Sequence, residues 1–170
     1  MKKPEDFGIT DYDKEKFKKT GILDCFQNVD LNGKNLKKIP FQFGIVDGYF
    51  NCSYNLLESL EGCPREIKRS FYCSQNQLKS LEGCPHEVKE DFNCSYNLLE
   101  SLKSFPENFK DHLFCDNNPF DISVKEWINY LEKYQKGNLY RSCRIVPDNS
   151  TYKSTLKGLK EKLAILEDLK

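Results

Sequence analysis

The sequence predicts an α/β solenoid: a short parallel β-sheet of about four to five coils, with an irregular convex side, an N-terminal cap and a C-terminal helical cap. Each repeat of a solenoid buries its apolar face only against its neighbours, so a fixed short period indicates stacked coils. Three series of residues recur here with a period of 21, namely Cys52, Cys73, Cys94 and Cys115; Asn55, Asn76, Asn97 and Asn118; and Pro64, Pro85 and Pro106.

Each repeat contains one alternating segment and one turn. Alternation over 70–74 directs Phe71 and Cys73 to one face and Tyr72 to the other, which predicts one β-strand per coil. Asn76 follows at the turn, where its side chain can satisfy backbone donors and acceptors beside an apolar interior. We therefore expect the repeated asparagines to be structural and assign them no direct role in function.

The repeats are predicted to span 29–120, between an N-terminal helical cap at 1–28 and a C-terminal helical cap at 121–170. The charged stretch 11–20 is predicted to be helical, and Gly21 ends it. The first coil is expected to be degenerate, because its core positions keep the period while lysine replaces the repeated asparagine.

Two helical patterns follow the repeats. The segment 123–126 is a capping-box pattern that begins a helix, and Gly137 stops that helix. Its Trp127, the only tryptophan, is predicted to cover the last coil. A second helix is expected at about 151–168, with one apolar stripe formed by Leu156, Leu159, Leu163 and Leu166.

Composition argues against several classes of partner. Lys plus Arg equals Asp plus Glu at 26 each, and residues 49–120 hold 11 acidic and 7 basic residues, so neither nucleic acid nor an anionic membrane is favoured. Asp13 and Glu15 are interleaved with the cluster of Lys14, Lys16, Lys18 and Lys19, which indicates a solvated helix face rather than a nucleic-acid site. The N-terminus lacks the apolar stretch of a secretion signal, and no run of about 18 apolar residues long enough to span a membrane occurs. We therefore expect a soluble cytoplasmic protein.

The eight cysteines are predicted to be core residues rather than ligands or disulfides. Six of them recur at two fixed positions of the 21-residue repeat. Phe105 occupies the position equivalent to Cys63 and Cys84 in the next repeat, and phenylalanine cannot replace a zinc ligand. We expect no metal and no cofactor, and a reducing compartment. Cys25 and Cys143 lie outside the repeat and are the only candidates for reactive thiols.

The unit L-x-S-L-E-G-C-P-x-x-(I/V)-x-x-x-F-x-C-S-x-N-x resembles the short bacterial leucine-rich repeat, over 29–120. It is similar to the repeats of secreted bacterial effectors and, more closely, to leucine-rich repeat proteins encoded by tailed bacteriophages. One departure is that Phe71 follows Ile67 by four residues, whereas the effector repeat spaces its leucines by three. The resemblance implies a leucine-rich-repeat solenoid that binds proteins; a phage-encoded member would bind a host or defence protein in the host cytoplasm.

Outward-facing positions vary from coil to coil while the core positions stay fixed. Exposed tyrosine and phenylalanine among asparagine and serine resemble the composition of adaptable protein-binding surfaces, although a merely solvated sheet face is the structural alternative. The predicted partner-binding residues are Tyr49, Asn51, Tyr54, Tyr72, Gln75, Asp91, Asn93, Tyr96, His112, Phe114 and Asp116. The same outward columns include Ser53, Ser70, Ser74, Ser95 and Asn117.

These observations favour a non-enzymatic protein-binding module that is a monomer or a homodimer. One alternative is a self-assembling structural protein that dimerises through the C-terminal leucine stripe. The other is a thiol-dependent enzyme or redox sensor that uses Cys25 or Cys143. No phosphate-loop, dinucleotide-binding, zinc-protease or serine-hydrolase motif occurs in the sequence.

Overall fold

A computed structural model of the protein describes residues 2–101, 103–106, 108–109, 111–120, 125–126 and 129. Within them the strands run parallel in two sheets, ordered β1-β3-β5-β7-β9 and β2-β4-β6-β8-β10. The elements are a 3₁₀-helix Pro4–Phe7, helix α1 Lys14–Thr20 and strands β1 Ile22–Cys25, β2 Val29–Asp30, β3 Gln42–Val46, β4 Phe50–Asn51, β5 Glu66–Ile67, β6 Phe71–Tyr72, β7 Glu87–Val88, β8 Phe92–Asn93, β9 Asn108–Phe109 and β10 Leu113–Phe114.

The predicted solenoid is confirmed, but each coil contributes two strands rather than one. β5 lies in the first sheet and β6 in the second, and the three residues 68–70 form the corner between them. Ile67 and Phe71 are both fully buried, so they reach the same core from two adjoining sides. The four-residue spacing that departs from the effector repeat is thus the spacing that turns the chain from one sheet into the other.

Register keeps equivalent residues of successive coils side by side. Ile67 pairs with Val88 in the first sheet, and Phe71 pairs with Phe92 in the second. The rings of Phe50 and Phe71 stack at 5.9 Å, and those of Phe71 and Phe92 at 5.5 Å. This aromatic column fixes the lateral position of each coil, because any slip would separate the rings.

The back of each coil is closed by tight turns without a helix in the described residues. Gly62 has a φ of +91°, and a Cβ there would lie 2.6 Å from the carbonyl oxygen of Phe41. Glycine is therefore required at position 62, whereas Ser104 adopts the left-handed conformation at the equivalent bend two coils later, with a φ of +63°. The leucines on either side of the back turn, such as Leu57 and Leu60, are fully buried.

The N-terminal segment covers the first coil. Helix α1 begins at Lys14, three residues after the predicted start at 11: Asp13 accepts from the backbone N–H of Lys16 at 2.8 Å, and Gly21 ends the helix with a φ of +70°. Tyr12 forms an antiparallel bridge with Cys25, the last residue of β1, and so occupies the outer edge of that strand. This bridge replaces the missing parallel neighbour of the first sheet.

The described C-terminal residues are few. Phe120 packs against the core and lies 6.1 Å from the ring of Phe105. Lys125, Glu126 and Asn129 are helical and exposed. The other predictions for 121–170, including Trp127, Gly137, Cys143 and the leucine stripe, lie outside the described residues.

Candidate functional site

The repeated cysteines are core residues, as predicted. Those in the phases of Cys52 and Cys63 are buried, except Cys84, which is half-buried. Burial raises the pKa of the Cys84 thiol to about 12. Burial, with the nearby Asp24 and Asp11 carboxylates, also raises the pKa of Cys25 to about 12.

Cys25 does not lie outside the repeat, contrary to the prediction. It pairs with Val46, 21 residues later, and is 1% exposed. A buried thiol with a raised pKa lacks the thiolate that a nucleophile or redox sensor requires. The thiol hypothesis therefore retains only Cys143, which lies outside the described residues.

The asparagine ladder is confirmed. The Oδ1 atom of Asn76 accepts from the backbone N–H of Leu57 in the preceding coil at 3.0 Å. Its Nδ2 group lies within hydrogen-bond distance of three carbonyl oxygens, those of Cys52, Cys73 and Ser74. Asn55, Asn97 and Asn118 make the equivalent bonds. The hydrogen-bonding groups of these side chains are therefore used to join neighbouring coils.

The outward positions of the second sheet form a shallow aromatic and amide surface. The predicted residues on it are half-buried, and the rings of Tyr49 and Tyr72 lie 6.4 Å apart. Asp91 accepts from the backbone N–H of His112 at 3.2 Å and lies 2.7 Å from its ring Nδ1. The half-buried members are Tyr49, Asn51, Tyr72, Asp91, Asn93, His112, Phe114 and Asp116.

The serines of these columns do not face outward, contrary to the prediction. Ser53, Ser74 and Ser95 are buried because the chain turns inward after each short strand. The hydroxyl of Ser74 donates to that of Ser53 at 3.1 Å, and Ser95 donates to Asp116 at 2.6 Å. Ser70 is also buried and donates to Glu90.

Tyr54, Gln75 and Tyr96 occupy one position of successive coils and are exposed. Their backbones are tied together, since Tyr54 N–H donates to Ser74 and Gln75 N–H donates to Ser95, each at 3.0 Å. Two residues further along, Leu56, Gln77 and Leu98 are exposed as well. We call the six side chains of Tyr54, Leu56, Gln75, Gln77, Tyr96 and Leu98 the tyrosine strip.

Leu56 and Leu98 were not among the predicted site residues. Each is the first leucine of a Leu-Leu pair, and the equivalent residue of the intervening coil is Gln77, which is the signal that this position faces outward. The structure buries only the second, Leu57 or Leu99, and leaves the first 37% and 43% exposed. Tyr54 and Tyr96 are 55% and 53% exposed, so four of the large exposed apolar side chains lie in this strip.

The strip is free of charge in a chain that is 31% charged. The segments 51–57, 72–78 and 93–99 contain no acidic or basic residue. The first sheet differs, because ion pairs line its outward side: Glu66 with Lys68, and Glu87 with Lys89. The segregation is typical of an interaction surface, where charged residues are depleted and aromatics enriched.

The tyrosines of the strip sit in a costly backbone conformation. Tyr54 and Tyr96 have φ values of +57° and +56°, in the left-handed region, where a bulky residue is disfavoured by about 1–2 kcal/mol. The equivalent residues in the flanking coils are Gly33 and Asn117, which adopt this conformation most readily. Gln75, at the position between them, has a φ of +52°, so the turn imposes this conformation on each coil, and tyrosine adopts it at a cost that glycine or asparagine would avoid.

Three further observations on the described residues concern a cleft, metal binding and membrane spanning. A cleft of about 300 Å³ on the back of the early coils is lined by Lys38, Ile39, Phe41, Ser59, Glu61 and Gly62 among others. Within the part of the chain that the structure describes, no group of three or more His, Cys, Asp or Glu side chains could hold a metal ion. Among the same residues, no helix is both long and apolar enough to cross a membrane.

Comparisons with known proteins found no matching family model, no matching curated protein and no matching solved structure.

Proposed function

We propose that this protein is a non-enzymatic recognition module that binds another protein through the tyrosine strip and the adjoining face of the second sheet. The observation that supports the proposal most directly is that the tyrosine strip is uncharged and exposes aromatic and aliphatic side chains in successive coils. Burying such a surface against a partner stabilises the complex without the desolvation cost of unpaired charges.

The rigidity of the surface also supports binding. The strip is fixed by coil-to-coil backbone hydrogen bonds, and the aromatic column of Phe50, Phe71 and Phe92 lies in the core of the same coils. A preorganised surface loses little conformational entropy when a partner binds. From the resemblance to phage-encoded leucine-rich-repeat proteins, we further propose that the partner is a host or defence protein in the host cytoplasm.

The proposal predicts that Tyr54→Asn combined with Tyr96→Asn removes the partner without unfolding the protein. Asparagine already occupies this position as Asn117, and it tolerates the left-handed conformation. We expect affinity capture from the native cell to fall at least ~10-fold, and the melting temperature to be unchanged or higher. Capture by the wild-type chain should weaken only slightly at about 0.5 M salt, because the tyrosine strip carries no charge to screen and the adjoining sheet face adds only Asp91, His112 and Asp116.

A matched control is Glu61→Gln combined with Glu82→Gln. These residues are also exposed and also occupy equivalent positions of two coils, 21 residues apart rather than 42, and they lie on the back of the coils. The control should retain the partner fully.

Tyr72→Ala combined with Phe114→Ala tests the sheet face separately. A folded Tyr54→Asn, Tyr96→Asn protein that retains every partner would rule out the strip as the binding surface.

A further inference from the structure

The tyrosine strip has a two-coil period as well as a one-coil period. The sequence Asn-Cys-Ser-Tyr-Asn-Leu-Leu occurs at 51–57 and again at 93–99, with Tyr-Cys-Ser-Gln-Asn-Gln-Leu between them at 72–78. Two identical Tyr–Leu pairs are therefore separated by one coil that presents Gln75 and Gln77. Since neighbouring strands lie 4.7–4.9 Å apart, the two pairs are about 9.6 Å apart along the solenoid axis.

This spacing selects among the backbone conformations of a bound peptide. A polyproline II helix repeats the same face every three residues, which at 3.1 Å per residue is about 9.3 Å. A β-strand repeats its face every two residues, at about 6.6–6.8 Å, and does not match. An α-helix matches only through positions seven apart, at about 10.5 Å, and its intervening apolar residues would face Gln75 and Gln77.

The glutamines fit a polyproline II ligand for a second reason. That helix has no internal hydrogen bonds, so its carbonyl oxygens remain free to accept. Within the described residues, the side-chain amides of Gln75 and Gln77 make no hydrogen bond, and both side chains are exposed. Two amide donors thus lie between two aromatic–aliphatic platforms, at the point where the middle of the peptide backbone would pass.

We propose that the tyrosine strip binds an uncharged polyproline II segment of the partner protein, laid along the solenoid axis, with two prolines three positions apart. This inference rests on the proposed function and names the chemistry of its ligand. One proline ring packs between Tyr54 and Leu56, and the other between Tyr96 and Leu98. Aromatic-lined grooves recognise proline-rich segments in this way because the ligand is already ordered before it binds.

The test uses the full chain, labelled with ¹⁵N, and blocked uncharged peptides followed by amide chemical shifts. The P-x-x-P peptide should bind saturably and shift amides of 51–57, 72–78 and 93–99. Peptides in which the prolines are two or four positions apart should bind at least ~10-fold more weakly, because one ring then misses its platform. Tyr54→Asn or Tyr96→Asn should each cost a similar factor, and Glu61→Gln should cost nothing.

Several results would overturn the inference. One is no shift with the P-x-x-P peptide, and another is equal binding of all proline spacings. A third is Tyr-dependent binding of a neutral oligosaccharide such as maltohexaose that displaces the peptide, which would assign the strip to a glycan. If Tyr54→Asn with Tyr96→Asn abolishes capture of the cellular partner but the wild-type chain ignores the peptide, the polyproline inference fails and the proposed function stands.

Discussion

Asn76 shows at the scale of one residue how a polar side chain stabilises an apolar stack. It is 9% exposed, and its amide group has four backbone partners drawn from two coils. No other neutral side chain offers an acceptor and two donors in this compact form. The recurrence of asparagine at this position is therefore explained by the backbone groups that would otherwise be buried unpaired.

Asn76→Ala should lower the free energy of unfolding by about 3 kcal/mol, since a buried N–H group and buried carbonyl groups lose their partner. Denaturant unfolding of the full chain measures this. Gln75→Ala is the control: Gln75 is exposed, so the change should stay within about 0.5 kcal/mol. Equal effects at the two neighbouring positions would contradict the role of the ladder.

Single residues also mark the limit of the sequence-based prediction. The burial of the repeated cysteines and the role of the asparagines could be predicted, because both follow from period and side-chain chemistry. The left-handed conformation of Tyr54 could not, because tyrosine does not signal a positive φ. The exposure of Leu56 was missed although Gln77, at the equivalent position of the next coil, indicated it.

At the scale of elements, Asp24 links the N-terminal segment to the sheet. It lies in β1, forms an ion pair with Lys16 of α1, and accepts from the backbone N–H of Ile45 in β3 at 2.9 Å. Burial opposes its ionisation, but the hydrogen bonds from Lys16 and Ile45 outweigh burial and hold the pKa of Asp24 below its ordinary value. One carboxylate therefore joins three elements.

This arrangement predicts an acid-sensitive N-terminal segment. Because the folded pKa of Asp24 lies below the unfolded value, its stabilisation is complete above about pH 4 and is lost as the pH falls through the folded pKa. Asp24→Asn should cost about 1–3 kcal/mol at pH 7 and flatten the loss of stability toward about pH 3. Urea unfolding at several pH values measures both effects.

The exposed Asp47 supplies the control for charge alone. Asp47→Asn removes the same charge, and its stability should follow the wild-type pH dependence. If Asp24→Asn loses stability in acid as steeply as the wild-type chain does, the carboxylate does not serve as the link described.

Elements were harder to predict than the period. The alternation over 70–74 predicted β6, but β5 was missed because the corner at 68–70 separates it from that alternation and places Ile67 four residues before Phe71. The inward turn after each strand was missed because the alternation was carried past the end of a two-residue strand. Extending the alternation through Ser53 and Ser74 placed two buried hydroxyls on the surface.

At the scale of the whole molecule, the described coils separate two surfaces of different character. The first sheet carries ion pairs on its outward side, and the turn after the second sheet carries the uncharged tyrosine strip. A solenoid produces such columns directly, because every coil places its equivalent residue at the same angular position around the axis. The 21-residue period therefore sets both the core and the spacing of the exposed tyrosines.

The strip as a binding surface is tested most directly by the amide chemical-shift changes of the ¹⁵N-labelled wild-type chain on addition of its captured partner. We predict the largest changes at 51–57, 72–78 and 93–99, centred on Tyr54, Gln75 and Tyr96. Changes concentrated instead around β5 and β7 or on the back turns near Gly62, with the strip unaffected, would contradict the account.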